Sequence, residues 1–175
     1  MREVADRERI EKFMEALARG ARAETRVYFT GGATAVLMRW RTTTIDVDVK
    51  LVPERDALLR TIPMLKEQLR MNVEFASPAD FLPIPSGWQE RSPFIRKIGR
   101  LSFFHFDMYA QALSKVERGH RQDVDDVQEM LARGLIERAI ALEYFARMVP
   151  ELYRFPAIDP ASLGRAVEQT FRPAH

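Results

Sequence analysis

Cysteine is absent from all 175 residues. Disulfides, thiolate metal sites and a cysteine nucleophile are thereby excluded, and the composition fits a reducing compartment. Histidine is scarce as well: the three present form no HxxxH pair, which argues against a histidine zinc cage. No apolar run approaches the roughly 18 residues that cross a bilayer. The N-terminal stretch MREVADRERIEKFMEAL carries acidic residues where a signal peptide has its apolar segment, so a cytoplasmic protein with no membrane contact is expected. A strong excess of one charge is also missing. The formal net charge of +2 is too small to announce a nucleic-acid binder, and no helix-turn-helix or aromatic-basic motif, internal repeat or low-complexity segment appears.

What is present is enough for one well-buried core: 46% of residues are hydrophobic and 30% charged. Residues 6–19 repeat apolar positions at helical spacing (Ile10, Phe13, Met14, Leu17). VYFT at 27–30 reads as a short buried strand running into Gly31-Gly32, and helix formers resume from Ala33 to Trp40. From Thr43 to Val52 polar residues (Thr44, Asp46, Asp48) alternate with apolar ones (Ile45, Val47, Val49), the period of a strand with one packed face. Glu54 to Arg70 has a helical pattern that Pro63 should kink or split. Asn72–Phe75 predicts a third strand, the proline-rich stretch SPADFLPIPSGWQERSP a loop, and Gly99–Phe106 another strand. Helices are expected at about 108–118, 122–133, 135–149 and 160–171. Strands alternating with helices and then a run of helices predict an α/β (α+β) fold, with a small mixed sheet in residues 1–106 and a helical segment in 107–175.

The chemistry-bearing stretch is TGGATAVLMRWRTTTIDVD, residues 30–48. Adjacent glycines are used where φ is positive or where something approaches the backbone closely. Asp46 and Asp48, two apart on a strand, project from one face about 6–7 Å apart along the chain. Such carboxylates repel, and a hard divalent cation such as Mg²⁺, held by one or two carboxylates plus substrate phosphates, resolves the repulsion. The alternative is that Thr44, Asp46 and Asp48 form the solvated face of an edge strand.

GGATAVLMRWRTTTIDVDV resembles the signature of the nucleotidyltransferase superfold associated with DNA polymerase β, in which a Gly-Gly or Gly-Ser turn opens a helix and the next strand bears Asp-x-Asp. ALSKVERGHRQDVDDVQEML is similar to the Lys and Asp-x-x-Asp segment of small bacterial members, including the toxin components of abortive-infection toxin–antitoxin pairs. The likeness covers about residues 25–133. It implies Mg²⁺ (or Mn²⁺) at Asp46 and Asp48, with a third carboxylate from a neighbouring strand: Glu74 is the candidate and Asp107 its competitor. It further implies phosphate contacts from Lys115, a catalytic carboxylate at Asp123, and a nucleotide-binding surface formed by Gly31, Gly32, Ala33 and Thr44. Asp123 and Asp126 also fit a capping arrangement at a helix start, and for Asp126 capping is the preferred reading.

The substrate implied is a nucleoside triphosphate and the reaction nucleotidyl transfer to an acceptor that is an RNA, a protein or a small molecule. A toxin-like role would bring a cognate antitoxin as partner. A non-catalytic nucleotide- or partner-binding module on the same fold is the competing reading. Trp88 and His105 are read as packing residues, His120 and Arg121 as exposed loop residues, and the Phe103, Phe104, Phe106 cluster as core or sheet cover. Arg39, Arg41, Arg91, Arg96, Lys97, Arg100, Lys115, Arg118 and Arg121 either surround the site or are solvated helix-face residues.

Overall fold

A computed structural model describes residues 2–173. The chain divides into two compact units, one made of the residues up to Ser77 with Ser92–Phe106, the other of Pro78–Arg91 with the residues from Asp107 onward. The proline-rich segment Pro78–Arg91, which the sequence places with residues 1–106, groups with the C-terminal helices.

In the first unit the chain runs through β1 (Ala5–Asp6), α1 (Arg7–Arg19), β2 (Thr25–Thr30), α2 (Gly31–Leu37), β3 (Thr43–Thr44), β4 (Asp46–Val52), α3 (Asp56–Gln68), β5 (Asn72–Phe75), β6 (Phe94–Ile98) and β7 (Leu101–His105). Five strands form a mixed sheet in the order β5-β4-β2-β7-β6, with β2 antiparallel to β4 and parallel to β7, β4 parallel to β5, and β6 antiparallel to β7. β2 is central because Thr-Arg-Val-Tyr-Phe-Thr supplies β-branched and aromatic side chains on both faces, and Val27, Tyr28 and Phe29 are all fully buried. On one face Val27, Phe29, Val47, Val49, Leu51, Val73, Leu101 and Phe103 pack against Ile10, Phe13, Met14 and Leu17 of α1 and Leu58, Ile62 and Leu65 of α3. Asp6 caps α1 by accepting from the Arg9 amide at 2.9 Å.

Three local expectations change. The alternation from Thr43 to Val52 breaks at Ile45, which is 74% exposed, because Thr43 and Thr44 pair with β1 in a separate two-stranded sheet and β4 begins only at Asp46. α3 continues through Pro63: the proline is exposed, and the buried Leu58, Ile62 and Leu65 hold both of its flanks on the core, so packing compensates the missing backbone donor. β6 adds a strand to those expected: it is an edge strand with no fully buried residue, so it lacks the apolar alternation that announces a strand.

The second unit contains α4 (Met108–Arg118), α5 (Arg121–Ala132), α6 (Arg138–Met148) and α7 (Pro160–Phe171), with 3-10 turns at Pro78–Asp80 and Val149–Arg154. α4 packs against α5, α6 and α7. Gly119, at φ +69°, ends α4 in the left-handed conformation and donates its amide to the Lys115 carbonyl at 2.9 Å. The fold is therefore mixed α/β, with seven α-helices, a five-stranded mixed sheet and a two-stranded sheet among the described residues. None of the described helices is long and apolar enough to cross a membrane.

Candidate functional site

The Gly-Gly turn and the two strand aspartates meet through the sheet register. Thr30, the last residue of β2, lies opposite Asp48, so the chain leaves β2 beside that carboxylate. Gly31 has φ +61°, a region L side chains rarely adopt, and a Cβ there would lie 3.1 Å from Asp48 Oδ2. At Gly32 a Cβ would lie 2.0 Å from Thr44 Oγ1 and 2.7 Å from Thr44 Cβ, so only glycine fits beneath β3. The two glycines are thus required first by the chain's own Asp48 and Thr44, which occupy the space a side chain would take. Thr44 Oγ1 in turn donates to the Asp46 carbonyl at 3.0 Å, fixing the junction where β4 starts.

Asp46 and Asp48 are half-buried on one face of β4, while Val47 and Val49 fill the core from the other. The parallel neighbour β5 places Asn72 opposite Asp46 and Glu74 opposite Asp48. Glu74 is exposed. The Asn72 side-chain amide donates to Asp46 Oδ1 at 2.5 Å and to Glu74 Oε1 at 2.9 Å, linking the two carboxylates across the strands. Asn72 is a site residue that sequence reading missed; its signal was its place two residues before Glu74 on a strand pairing with the Asp-x-Asp strand. Among the described residues no group of three or more carboxylates and histidines is gathered closely enough to hold a metal ion by itself. What the arrangement offers a cation is two strand carboxylates, with phosphate oxygens of a substrate to complete the shell, a donor set that suits Mg²⁺ or Mn²⁺.

Asp107, the competitor for the third carboxylate, lies in the second unit with its oxygens engaged. It is fully buried and caps α4: Oδ1 accepts from the Tyr109 amide at 3.0 Å, and Oδ2 accepts from Arg91 Nε at 2.7 Å and from the Tyr144 hydroxyl at 3.0 Å. Arg91 also donates to the Ser86 and Pro85 carbonyls at 2.8 and 2.7 Å, tying down the proline-rich loop, and its guanidinium lies over the Tyr144 ring. Burial, reinforced by the Asp107 charge, pushes the Tyr144 hydroxyl pKa upward, so it stays a neutral donor.

Lys115 and Asp123 come together in the second unit, and Asp126 joins them. All three are buried; Lys115 Nζ donates to Asp126 Oδ2 at 2.7 Å and lies 3.8 Å from Asp123 Oδ1, while Arg118 Nη2 donates to Asp123 Oδ1 at 2.7 Å. Asp126 is consequently not a cap: α5 begins at Arg121 with His120 as N-cap, and one turn further on Asp126 faces Lys115 instead. Asp123 does sit in the first turn of α5, where its charge suits the helix dipole, but its hydrogen bonds go to Arg118.

The remaining candidates divide by surroundings. His105 is buried, 3.0 Å from Thr34 Oγ1, and burial lowers its pKa from 6.5 to about 4, so it is a neutral interior residue. His120 and Arg121 are exposed. Of the basic residues near the motifs, Arg96 pairs with Glu15 and Lys97 with Glu24, while Arg100 donates to the Arg22 carbonyl.

Comparison with curated proteins and with solved structures finds no match. Residues 8–152, most of the chain and all of β2, β4 and β5, match the family described as "Nucleotidyltransferase of unknown function (DUF6036)". With the Gly-Gly turn set against an Asp-x-Asp strand at its centre, the chain belongs to that nucleotidyltransferase family.

Proposed function

We propose that the protein transfers a nucleoside monophosphate from a nucleoside triphosphate to a hydroxyl acceptor, with Mg²⁺ or Mn²⁺ held by Asp46 and Asp48. The observation that carries this reading is the placement of both carboxylates on one strand face, one of them against the left-handed Gly31 and in register with Glu74. Asp46 and Asp48 are the cation ligands. Asn72 holds Asp46 in position, and Glu74, opposite Asp48 and bound to the same Asn72 amide, lies beside the pair without completing a three-carboxylate cage among the described residues. The Gly31–Ala33 turn and Thr44 form the nucleotide side of the same strand end. When bound, the divalent cation would neutralise triphosphate charge and lower the pKa of the attacking hydroxyl.

A second reading is favoured by the Asn72 amide, which already satisfies Asp46 and Glu74 without a cation: a module that binds nucleotide and does not turn it over. Incubating the protein with each labelled triphosphate, Mg²⁺ or Mn²⁺, and an extract of RNA, protein and small molecules separates the two. Transfer of label that is lost in Asp46→Ala/Asp48→Ala supports the enzyme. Metal-dependent nucleotide binding without transfer supports the module, and no binding at all removes both. A toxin-like role with a cognate antitoxin is the biological form of the enzyme reading; growth arrest on induced expression, relieved by Asp46→Ala/Asp48→Ala, is its expected signature.

A further inference from the structure

The end of the sheet away from Asp46 and Asp48 carries a second concentration of charge. There α1 closes at Arg19, a short link leads into the start of β2, and Val52, the last residue of β4, lies opposite Arg26 before α3 opens at Asp56. A cleft of about 480 Å³ is formed by these pieces, with Arg19 and Arg22 from the end of α1 and the link, and Asp56 and Arg60 from α3. Gly20 and Thr61 bring the two helices together: a Cβ on Gly20 would lie 3.0 Å from Thr61 Oγ1. Asp48 and Val52 are separated by about 13 Å along β4. The cleft is therefore distinct from the strand carboxylates.

Its cations are uncompensated. Arg19, Arg22 and Arg60 are exposed, and none of them makes an ion pair among the described residues. Carboxylates close to them in the chain are engaged elsewhere, Glu15 with Arg96 at 3.8 Å and Glu24 with Lys97 at 3.2 Å. Asp56 is the one carboxylate lining the cleft, and although it stands four residues before Arg60 on α3 the two do not pair. Arg19, in the last turn of α1, complements the helix dipole. No such service to the fold accounts for the Arg22 or Arg60 side chain. Three guanidinium groups sharing one cleft repel one another, and an anion relieves that repulsion. The planar fork of each matches phosphate oxygens, two hydrogen bonds at a time.

We propose that this cleft binds a small polyphosphate, a chain of two or more phosphates either free or carried on a nucleoside, with its oxygens shared among Arg19, Arg22 and Arg60. Three cations against one carboxylate leave an excess of positive charge that a phosphate chain neutralises. The ligand is a small molecule because the volume is that of a small-molecule cleft and the cations meet between two helix ends instead of running as a stripe over the surface. Met64, 60% exposed at the same cleft, offers apolar surface to a nucleoside. This site does not depend on the transfer reading, since it uses neither the cation nor the strand carboxylates.

The test is isothermal titration calorimetry with inorganic tripolyphosphate and with ATP, in EDTA at about 0.15 M salt, where long-range attraction between exposed charges is screened. Binding that falls by about tenfold or more in Arg19→Gln/Arg22→Gln/Arg60→Gln supports the proposal. It should be unchanged in Arg133→Gln/Arg165→Gln/Arg172→Gln, which removes the same charge from exposed positions of the helical unit. Circular dichroism of both variants should match the parent, since every substituted side chain is exposed. Tighter binding of ATP than of tripolyphosphate identifies a nucleotide ligand, and equal binding identifies the phosphate chain alone. Binding of neither probe, or an equal loss in the two arginine variants, overturns the proposal. So does binding that is lost in Asp46→Asn/Asp48→Asn and kept in the cleft variant, which would put the phosphates at the strand carboxylates. Arginine-dependent capture of a short labelled RNA with no affinity for either small probe would replace the small molecule by a polynucleotide and overturn it as well.

Discussion

The two units use their carboxylates in opposite ways. In the helical unit Asp107, Asp123 and Asp126 are buried, and each is answered by a cation: Arg91, Arg118 and Lys115 respectively. In the sheet unit Asp46 and Asp48 are half-buried, Glu74 is exposed, and the fixed hydrogen bond joining Asp46 to Glu74 comes from the neutral amide of Asn72. A buried charge must be paired inside the protein because desolvation is costly. A carboxylate at a sheet surface can be held in place and still present oxygen to a ligand. Burial, more than acidity, separates the two sets of aspartates.

The comparison is broken most directly at Asp126. Asp126→Ala removes the 2.7 Å partner of the buried Lys115 and leaves its ammonium the longer 3.8 Å contact with Asp123, and is expected to cost about 3 kcal/mol of stability, read from urea unfolding. Replacing both members by apolar side chains, Lys115→Met with Asp126→Leu, should recover most of that loss. If the double variant is no more stable than Asp126→Ala, the Lys115–Asp126 pair is not what holds α5 on α4.

A second test uses a buried ionisable group of the sheet unit. His105 has its pKa lowered by burial from 6.5 to about 4. Between those values the unfolded chain takes up a proton that the folded chain refuses, so the neutral ring contributes stability that is fully present above pH 6.5 and is lost as pH falls towards 4. The expected loss over that window is about 3 kcal/mol. His105→Gln, which cannot titrate, should flatten the difference between unfolding free energies measured at pH 7 and pH 4. An unchanged slope would mean that the acid sensitivity comes from other groups.

These contrasts were unevenly legible in the sequence. The core was plain, because Ile10, Phe13, Met14 and Leu17 repeat at helical spacing and Val47 and Val49 alternate with Asp46 and Asp48. The site's strand residues were legible for the same reason: a charged position in a strand declares a face. Ile45 misled, since its alternation is cut by the β1–β3 pairing, a contact about 40 residues apart in the chain that no local pattern encodes. The Lys115–Asp126 pair was hidden because an Asp near a helix start has a sufficient local explanation, and only the packing of α5 on α4 reveals the partner. Asn72 was overlooked because an amide carries no charge, yet its position opposite Asp46 makes it the residue that orders the site. Phe94 follows a proline on an unburied edge strand and had no pattern to join.

The finest test asks whether the sheet carboxylates matter to folding at all. Asp46→Asn keeps an oxygen that can accept the Asn72 amide, and Asp48→Asn removes half of a like-charge pair on one strand face. Losing the hydrogen bond's ionic character and losing the repulsion act in opposite directions. With both side chains half-exposed, the net change in unfolding free energy for Asp46→Asn/Asp48→Asn is expected to stay below about 1 kcal/mol. The same substitution should abolish metal-dependent label transfer, because an amide binds a hard divalent cation far more weakly than a carboxylate. A loss of stability comparable to that of Asp126→Ala would place Asp46 and Asp48 with the structural carboxylates of the helical unit. Stability retained while metal-dependent nucleotide chemistry disappears is the combination that only a ligand-directed pair produces.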